Sequence, residues 1–429
     1  MYENRIDKRI LEYDDSHERM NPAERQKWLS KKLQDAVRYA YQNAPAVKEK
    51  LDAAGVAPTD IKTIKDMEKL PVTTKDQLVK LQRAKPPFGG FLAVPLNSLD
   101  RIYVSPGPIY DAWDPEQAID FARHYYHDLG ARPGDIAIVS TMYHMVPAGL
   151  VATHLLDLLG ITVVPAGVGQ TELQVQIMHE LGITGYAGFP TFLMTTIKKA
   201  EEMGYDFRRD FKLRWASVSG ERHGQLLRKS FEDDYGLVTT QEYGTADIGL
   251  AAFECKEKNG MHFYDEGMLI EICDPQTGKQ LGPGEVGEIV VTRLDKIYPL
   301  VRFGTGDLAS YVDEPCPCGK TTPRITKILG MIGDHIRVKS MFVHKREIEE
   351  AISKMPEIAK AQMVVTLSGH KDMITFRVEL ASEGINEETF RNSFTKTCQD
   401  IFKLRPDNIE FISKGTLPEG YETFVDKRW

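Results

Sequence analysis

The sequence predicts an α/β protein: a large N-terminal domain with parallel sheets covered by helices plus a small β-rich subdomain, then a small α+β C-terminal domain on a hinge. Three observations predict it. Between residues 100 and 200, helical segments ("QAIDFARHYYHDLG", "GLVATHLLDLLG", "LQVQIMHELG") alternate with short apolar runs ("DIAIVS", "ITVVPA", "GYAGFP"). Parallel strands need crossover connections, and the covering helices leave their strands apolar on both faces. From 250 to 312 the rhythm changes to short strands, "LIEICD", "GEIVVTRL" and "LASYVD", with turn chemistry such as "PQTGKQLGPGE" between them. After "ILGMIGD" at 328–334 the chain reads strand, helix ("HKREIEEAISKM"), two strands, helix ("EETFRNSFTKTCQDIF") and a final strand. The expected domains are 1–330, with the β-rich part at about 250–328, and 331–429.

Upstream of these, residues 23–55 read as amphipathic helices, with Trp28, Leu29, Leu33, Ala36, Val37 and Tyr41 at helical spacing. In "LPVTTKDQL", Thr73 and Thr74 are candidate caps for a helix beginning near Lys75. At 429 residues the chain exceeds one ordinary core and has interior for a buried site.

Composition excludes several function classes. A net charge of −8 and the lack of any Lys/Arg run give no footprint for nucleic acid or anionic lipid. The N-terminus "MYENRIDKRILEYDD" is charged where a signal peptide is apolar, and no window approaches the roughly 18 apolar residues of a membrane span. A cytoplasmic protein with no membrane partner is expected. Five cysteines do not suggest a disulfide scaffold. Cys255, His262, Cys316 and Cys318 instead form a Cys-x6-His pair and a Cys-x-Cys pair, ligands of the kind tetrahedral zinc takes. The alternative is free buried cysteines and a surface histidine.

The stretches "YQNAPAVKEKLDAAGV", "LPVTTKDQL", "PPFGGF", "GFPTFL", "EYGTADIG", "FECKEKNGMHFYDE", "GEIVVTRLDKIYPLVRFGTGD" and "CPCGKTTPRITKILG" occur in an order that resembles the phenylacetate–CoA ligases, a branch of the adenylate-forming ligases, over roughly residues 23–429. The resemblance implies two half-reactions, with the small domain rotating between them: ATP and a carboxylic acid form an acyl-adenylate, then CoA displaces AMP. It implies Asp307 on the ribose hydroxyls, Tyr243 and Gly244 beside adenine, and Asp247 as the acid on magnesium. Ser219, Gly220 and Glu221 would contact adenine and the acyl pocket; Pro190 and Thr191 would lie near the carboxylate substrate; Asp334 would be the hinge residue. Tyr143 is a candidate wall of the substrate pocket, the alternative being plain core. The Cys/His set would be a structural zinc site, and a homodimer is the common state of such relatives. The bland readings are an Asp in a β-turn, a core Tyr and ordinary Ser-Gly-Glu turns.

Three departures stand out. The phosphate loop of the family corresponds here to "SPGPIY", in which Ser105 and Gly107 remain while two prolines delete N–H donors and both threonine hydroxyls are missing. An arginine of the family is replaced by Gly304 and another by Met331, and "LPEGYETFVDKRW" lacks the usual C-terminal lysine. The first expectation is an AMP-forming acyl- or aryl-CoA ligase acting on an aromatic or small organic acid. The alternatives are a homologue that binds a nucleotide or acyl-CoA with little adenylation, or one retaining only acyl transfer to CoA.

Overall fold

The computed structural model describes residues 5–12, 14–105, 108–221, 223–332, 335–339, 341–369, 371–382 and 384–428. The chain divides into two compact units, Met1–Ile328 and Leu329–Trp429.

The larger unit begins with helices Pro22–Asn43 and Pro45–Ala53, each with proline in its first turn. Leu29, Leu33 and Val37 of the first helix face the core, as their spacing requires. Strands β1 (Ile102–Ser105) and β2 (Ile109–Ala112) make a separate antiparallel hairpin. The following strands are β3 (Ile136–Ser140), β4 (Thr162–Val164), β5 (Gly185–Gly188), β6 (Trp215–Val218), β7 (Val238–Thr245), β8 (Gly249–Glu254), β9 (Met261–Phe263), β10 (Met268–Cys273), β11 (Gly287–Arg293), β12 (Phe303–Val312) and β13 (Arg324–Met331). They form one sheet in the order β10-β11-β12-β13-β9-β8-β7-β6-β5-β3-β4. β4, β3, β5, β6 and β7 run parallel, and β5 and β6 are wholly buried, matching the apolar runs in the sequence. β7 pairs parallel with β6 and antiparallel with β8, so the β-rich part continues the same sheet and is not a separate layer.

Gly185 shows why a glycine stands inside a buried strand. A Cβ there would fall 2.0 Å from Cζ2 of Trp215 on β6. The indole occupies that space and donates to Asp135 Oδ2 at 3.0 Å.

The start of the helix Lys75–Ala84 is tied to the sheet by backbone. Thr73 N donates to Arg302 O (2.8 Å) and Gly304 N to Thr73 O (3.0 Å), a parallel bridge between Thr73 and Phe303 of β12. Thr74 then caps the helix, its hydroxyl accepting from Gln77 N while Gln77 Oε1 accepts from Thr74 N. Arg302, in the left-handed region at φ +47°, sends its guanidinium into the core. It pairs with Glu271 Oε1 at 3.0 Å and donates to Leu70 O and Gly278 O, and each partner of the pair is 1% exposed.

The smaller unit holds the hairpin β14 (His335–Val338) and β15 (Met341–His344), and a sheet in the order β18-β17-β16-β19 from β16 (Ile358–Ser368), β17 (Lys371–Leu380), β18 (Asn408–Phe411) and β19 (Phe424–Asp426). Helices Lys345–Ser353 and Glu387–Phe402 contribute Ile348, Phe390 and Phe394 to its core. Where the sequence pattern shows one strand before the first helix and one after the second, there are two in each place.

Removing one member of a buried ion pair leaves the other charge uncompensated, at about 3–5 kcal/mol. Arg302→Met is therefore expected to lower the unfolding midpoint of the larger unit markedly in thermal melts, and adding Glu271→Leu to recover part of the loss.

Candidate functional site

The parallel register sets Ser140, Gly188 and Val218, the last residues of β3, β5 and β6, side by side with Gln241 in the middle of β7, which runs on past them to Thr245. In α/β sheets the carboxyl edge of the strands is where ligands bind. Tyr143 follows β3, Pro190 and Thr191 follow β5, Ser219–Gly220–Glu221 follow β6, and Tyr243 and Gly244 end β7. The structure brings several of these together. Ser219 N donates to Gly188 O at 3.1 Å, and Thr191 Oγ1 donates to Glu221 Oε2 at 2.5 Å across two loops. Gly220 sits at φ +77°, which glycine adopts without strain. Pro190 opens helix Pro190–Glu202. The Tyr143 hydroxyl lies 2.9 Å from Thr153 Oγ1, and its ring lies over Gly149, where a Cβ would fall 2.7 Å away.

Tyr243 and Asp307 meet although 64 positions separate them: the hydroxyl donates to Asp307 Oδ2 at 2.7 Å and lies 3.3 Å from Thr305 Oγ1. Burial first, and the Asp307 charge second, hold the Tyr243 hydroxyl well above its usual pKa, so it stays a donor. The Gly304-Thr305-Gly306 stretch, expected as a turn, is part of β12. Its pairing with β11 shifts register, Gly306 takes φ +81°, and Gly306 N donates to Glu288 Oε1 at 3.0 Å. The strand irregularity re-aims Asp307. At Gly304, where the family has an arginine, a Cβ would fall 2.5 Å from Glu288 Oε1, so that carboxylate would have to move to admit a side chain.

Asp247 is buried, and its Oδ2 is already engaged by Lys75 Nζ at 3.0 Å and Thr245 Oγ1 at 3.1 Å. Oδ1 has no hydrogen-bond partner among the described residues. Burial lowers the Lys75 pKa, but Asp247 and Asp307 more than offset it, and the net shift is upward. Sequence reasoning took Lys75 only as a helix start, because its proximity to Asp247 arises from the Thr73–Phe303 bridge. It also missed Asp111 of β2, 1% exposed, whose carboxyl is held well above the usual range by burial first and the Asp247 charge second, with the Ser105 hydroxyl acting the other way. Ser105, expected to offer its hydroxyl to phosphate, is 5% exposed. Gly107 and Asp334 lie outside the described residues.

Cys255 follows β8, His262 lies on β9, and Cys316 and Cys318 lie in the loop before β13. Their four ligand atoms lie within 4.8 Å of one another. Cys255 Sγ and Cys316 Sγ are 3.8 Å apart, and Cys318 Sγ and His262 Nε2 are 3.6 Å apart. Zn–S bonds of about 2.3 Å and Zn–N of about 2.0–2.1 Å in a tetrahedron require edges of about 3.8 and 3.5 Å. His262 Nδ1 lies 2.7 Å from Thr322 Oγ1, which orients Nε2 toward the sulfurs.

No protein-family model matches the chain. It is 30% identical over 408 residues to the phenylacetate-coenzyme A ligase of Thermus thermophilus, covering 90% of each chain, and 31% identical over 373 residues to that of Aromatoleum evansii, covering 84% of this chain and 81% of that one. Among solved structures it is similar to 2-hydroxyisobutyryl-CoA ligase in complex with 2-HIB-AMP and CoA, with TM-score 0.82 and 25% identity over 96% of this chain and 91% of the other. No helix among the described residues is long and apolar enough to cross a membrane.

The loop after β6 ends in His223, which is 6% exposed, lies 3.1 Å from Thr239 Oγ1 through Nε2 and stacks on Phe231. Burial first, then Arg228 and Lys258, push its pKa down to about 3. Unfolded histidine titrates near about 6.5. As pH falls from there toward the folded value, the unfolded chain takes up a proton that the folded chain refuses, so this contribution is full above the unfolded pKa and declines below it. Chemical denaturation across this range is expected to show a loss of up to about 1.4 kcal/mol per pH unit from this group, which His223→Phe abolishes.

Proposed function

The chain belongs to the phenylacetate–coenzyme A ligase family and is an AMP-forming acid–CoA ligase, and from that premise we propose how its own residues serve the reaction. A carboxylate oxygen of the acid attacks the α-phosphorus of ATP and pyrophosphate leaves. The sulfur of CoA then attacks the acyl carbon, the bond to AMP breaks, and the thiol proton passes to solvent. The observation that carries the assignment is the Tyr243–Asp307 pair, held beside Lys75 and Asp247.

In this reading Asp307 receives the ribose hydroxyls. Tyr243 fixes one carboxylate oxygen with its hydroxyl while its ring and Gly244 lie against adenine. Ser219, Gly220 and Glu221 border adenine and the acid, and the hydrogen bond from Thr191 to Glu221 sets one wall of the acyl pocket. Pro190 and Tyr143 complete that wall. The Tyr143 ring, supported by Gly149, is a rigid apolar surface suited to an aromatic or small organic acid. Asp247 Oδ1, without a partner among the described residues, fits a magnesium ion. Magnesium held there would neutralise triphosphate charge. Lys75 holds the other carboxylate oxygen and so orients the first. Gly330, at φ +134° just after the division following Ile328, supports a hinge between the two half-reactions. A cytoplasmic location and a homodimer complete the reading, the second to be checked by light scattering.

Cys255, His262, Cys316 and Cys318 are proposed to hold zinc. Four protein donors would complete the tetrahedral set that structural zinc takes, so the metal would tie the end of β8 to the loop before β13 and keep no open position for catalysis.

The test combines ATP and magnesium with aromatic and short organic acids, reading pyrophosphate and then CoA thioester. Release with at least one acid is expected; silence across the panel from folded protein overturns the site assignments. A hydrogen bond to a charged group is worth about 1.5–3 kcal/mol, so Asp307→Ala is expected to raise the KM for ATP about 10- to 100-fold. Elemental analysis is expected to find one zinc per chain, and Cys318→Ser to lose it together with several degrees of Tm.

A further inference from the structure

Gln174 has no part in the roles assigned above, yet both ends of its amide are engaged. It lies on the helix Thr171–Glu180 and is 3% exposed. Its Oε1 accepts from the Ser140 hydroxyl at 2.8 Å, and its Nε2 donates to Gly167 O and to Gly169 O, each at 2.9 Å. The carbonyl and both N–H groups are thus matched to partners, the condition under which a buried amide fixes a single arrangement of its neighbours. One of those partners borders the site. Ser140, wholly buried, ends β3 and pairs in register with Gly188 of β5, and Gly188 O accepts from Ser219 N at 3.1 Å.

The segment that Gln174 holds is the loop between β4 and its own helix. Gly167 sits at φ +69°, Gly169 at +88° and Gln170 at +47°. The first two suit glycine, but Gln170 takes a left-handed backbone that a residue with a side chain keeps only where its surroundings impose it. The loop lies against the segment that leads from β3 to Tyr143: Gly167 N donates to Val139 O at 3.0 Å, and a Cβ at Gly167 would fall 3.8 Å from Thr141 O. Between the two clamped glycines, Val168 is 51% exposed.

We propose that Gln174 is a positioning residue for acid selectivity: it clamps the Gly167–Gly169 loop to the end of β3 and so sets the space beside Tyr143 that the acyl group must fit. This rests on reading that end of the sheet as the acid pocket. Gln174 acts through Ser140 and the two glycine carbonyls. Without its amide, a buried hydroxyl and two carbonyls lose their partners, the left-handed turn at Gln170 is no longer enforced, and the loop relaxes away from residues 141–143. A pocket discriminates between acids by the difference in how well it holds them, so a looser wall weakens the well-fitted acid more than the poorly fitted ones. The nucleotide side is insulated by the sheet itself: β3, β5 and β6 lie between β4 and β7, which carries Tyr243.

The test is steady-state thioester formation by the full chain with ATP, magnesium, CoA and a series of acids graded in chain length and ring size. Gln174→Ala is expected to raise the KM for the best acid about 10- to 100-fold and to narrow the spread of kcat/KM across the series, while the KM for ATP stays at the wild-type value. Ser140→Ala removes the hydroxyl and keeps the clamp on the glycines. It is expected to shift selectivity the same way by a smaller factor, and it decides the matter if Gln174→Ala does not fold. Asp135→Asn is the stability control: it loosens the other end of β3, where Asp135 pairs with Arg214 and receives the Trp215 indole, and is expected to lower Tm without changing the spread among acids. An unchanged spread in Gln174→Ala, or in Ser140→Ala where that variant decides, overturns the inference. So does a rise in the KM for ATP that matches the rise for the acid, the mark of a general loss of structure. Wild-type protein that forms thioester with no acid overturns the pocket reading itself, a result distinct from wild-type turnover with unaltered selectivity in the variants.

Discussion

A single backbone bridge, Thr73 against Phe303, organises the site. It makes residues 73–75 a short extra partner for β12, with Lys50 Nζ donating to Thr73 Oγ1 at 2.7 Å and to Val301 O at 2.5 Å around it. The helix that starts immediately afterwards has no freedom in where it begins, because Thr74 is its cap and Thr73 is held by the sheet. Lys75 therefore reaches Asp247 and Gln82 reaches the β1–β2 hairpin. The buried Arg302–Glu271 pair sits behind the bridge, and the left-handed backbone at Arg302 persists because its carbonyl, amide and guanidinium are all engaged.

Charge is handled differently in the two halves of the site. Around Asp307 the Tyr243 hydroxyl donates to one carboxylate oxygen at 2.7 Å, and the acid's charge is felt by Lys75 as well. Around Asp247 and Asp111 the charges of Lys75 and Arg293 face the two acids, yet burial still holds Asp111 well above the usual carboxylate range. A low-dielectric interior magnifies such effects, since the same separation that matters little in water is strongly felt between buried groups. Glu288, buried beside Gly306, adds to the acidic character and occupies the space where a side chain at position 304 would lie. The loss of arginine there is thus a packing matter as much as an electrostatic one.

Much of this was legible in the sequence, and what was not has a common cause. The parallel strands β3 and β5 stood out because burial on both faces leaves an apolar signature within four or five residues, and the three-residue edge strand β4 through its β-branched run. The Thr74 cap was equally local, as were the Cys-x6-His and Cys-x-Cys spacings of the four residues that the fold brings together. Gly304-Thr305-Gly306 misled because a glycine-rich stretch reads as a turn when its strand partners lie elsewhere in the chain; the register with β11 makes it a bulge. Ser105 was assigned by motif position, while its burial depends on the hairpin it closes. Lys75, Asp111 and the Arg302–Glu271 pair were missed because their partners come from distant segments, and no local pattern encodes such a meeting.

Those distant meetings bear on how the protein is made. Lys50 donates to Val301 across 251 positions, and Arg25 to Asp265 across 240. At roughly 5–20 residues per second of synthesis, the N-terminal helices leave the ribosome tens of seconds before β12 exists to receive them. Until then the first helix has only the helix Pro45–Ala53 and the short turns Pro58–Asp60 and Ile64–Lys69 to pack against, and the ties of Arg25 and Lys50 to the sheet are made only once residues 265 and 301 have been synthesised.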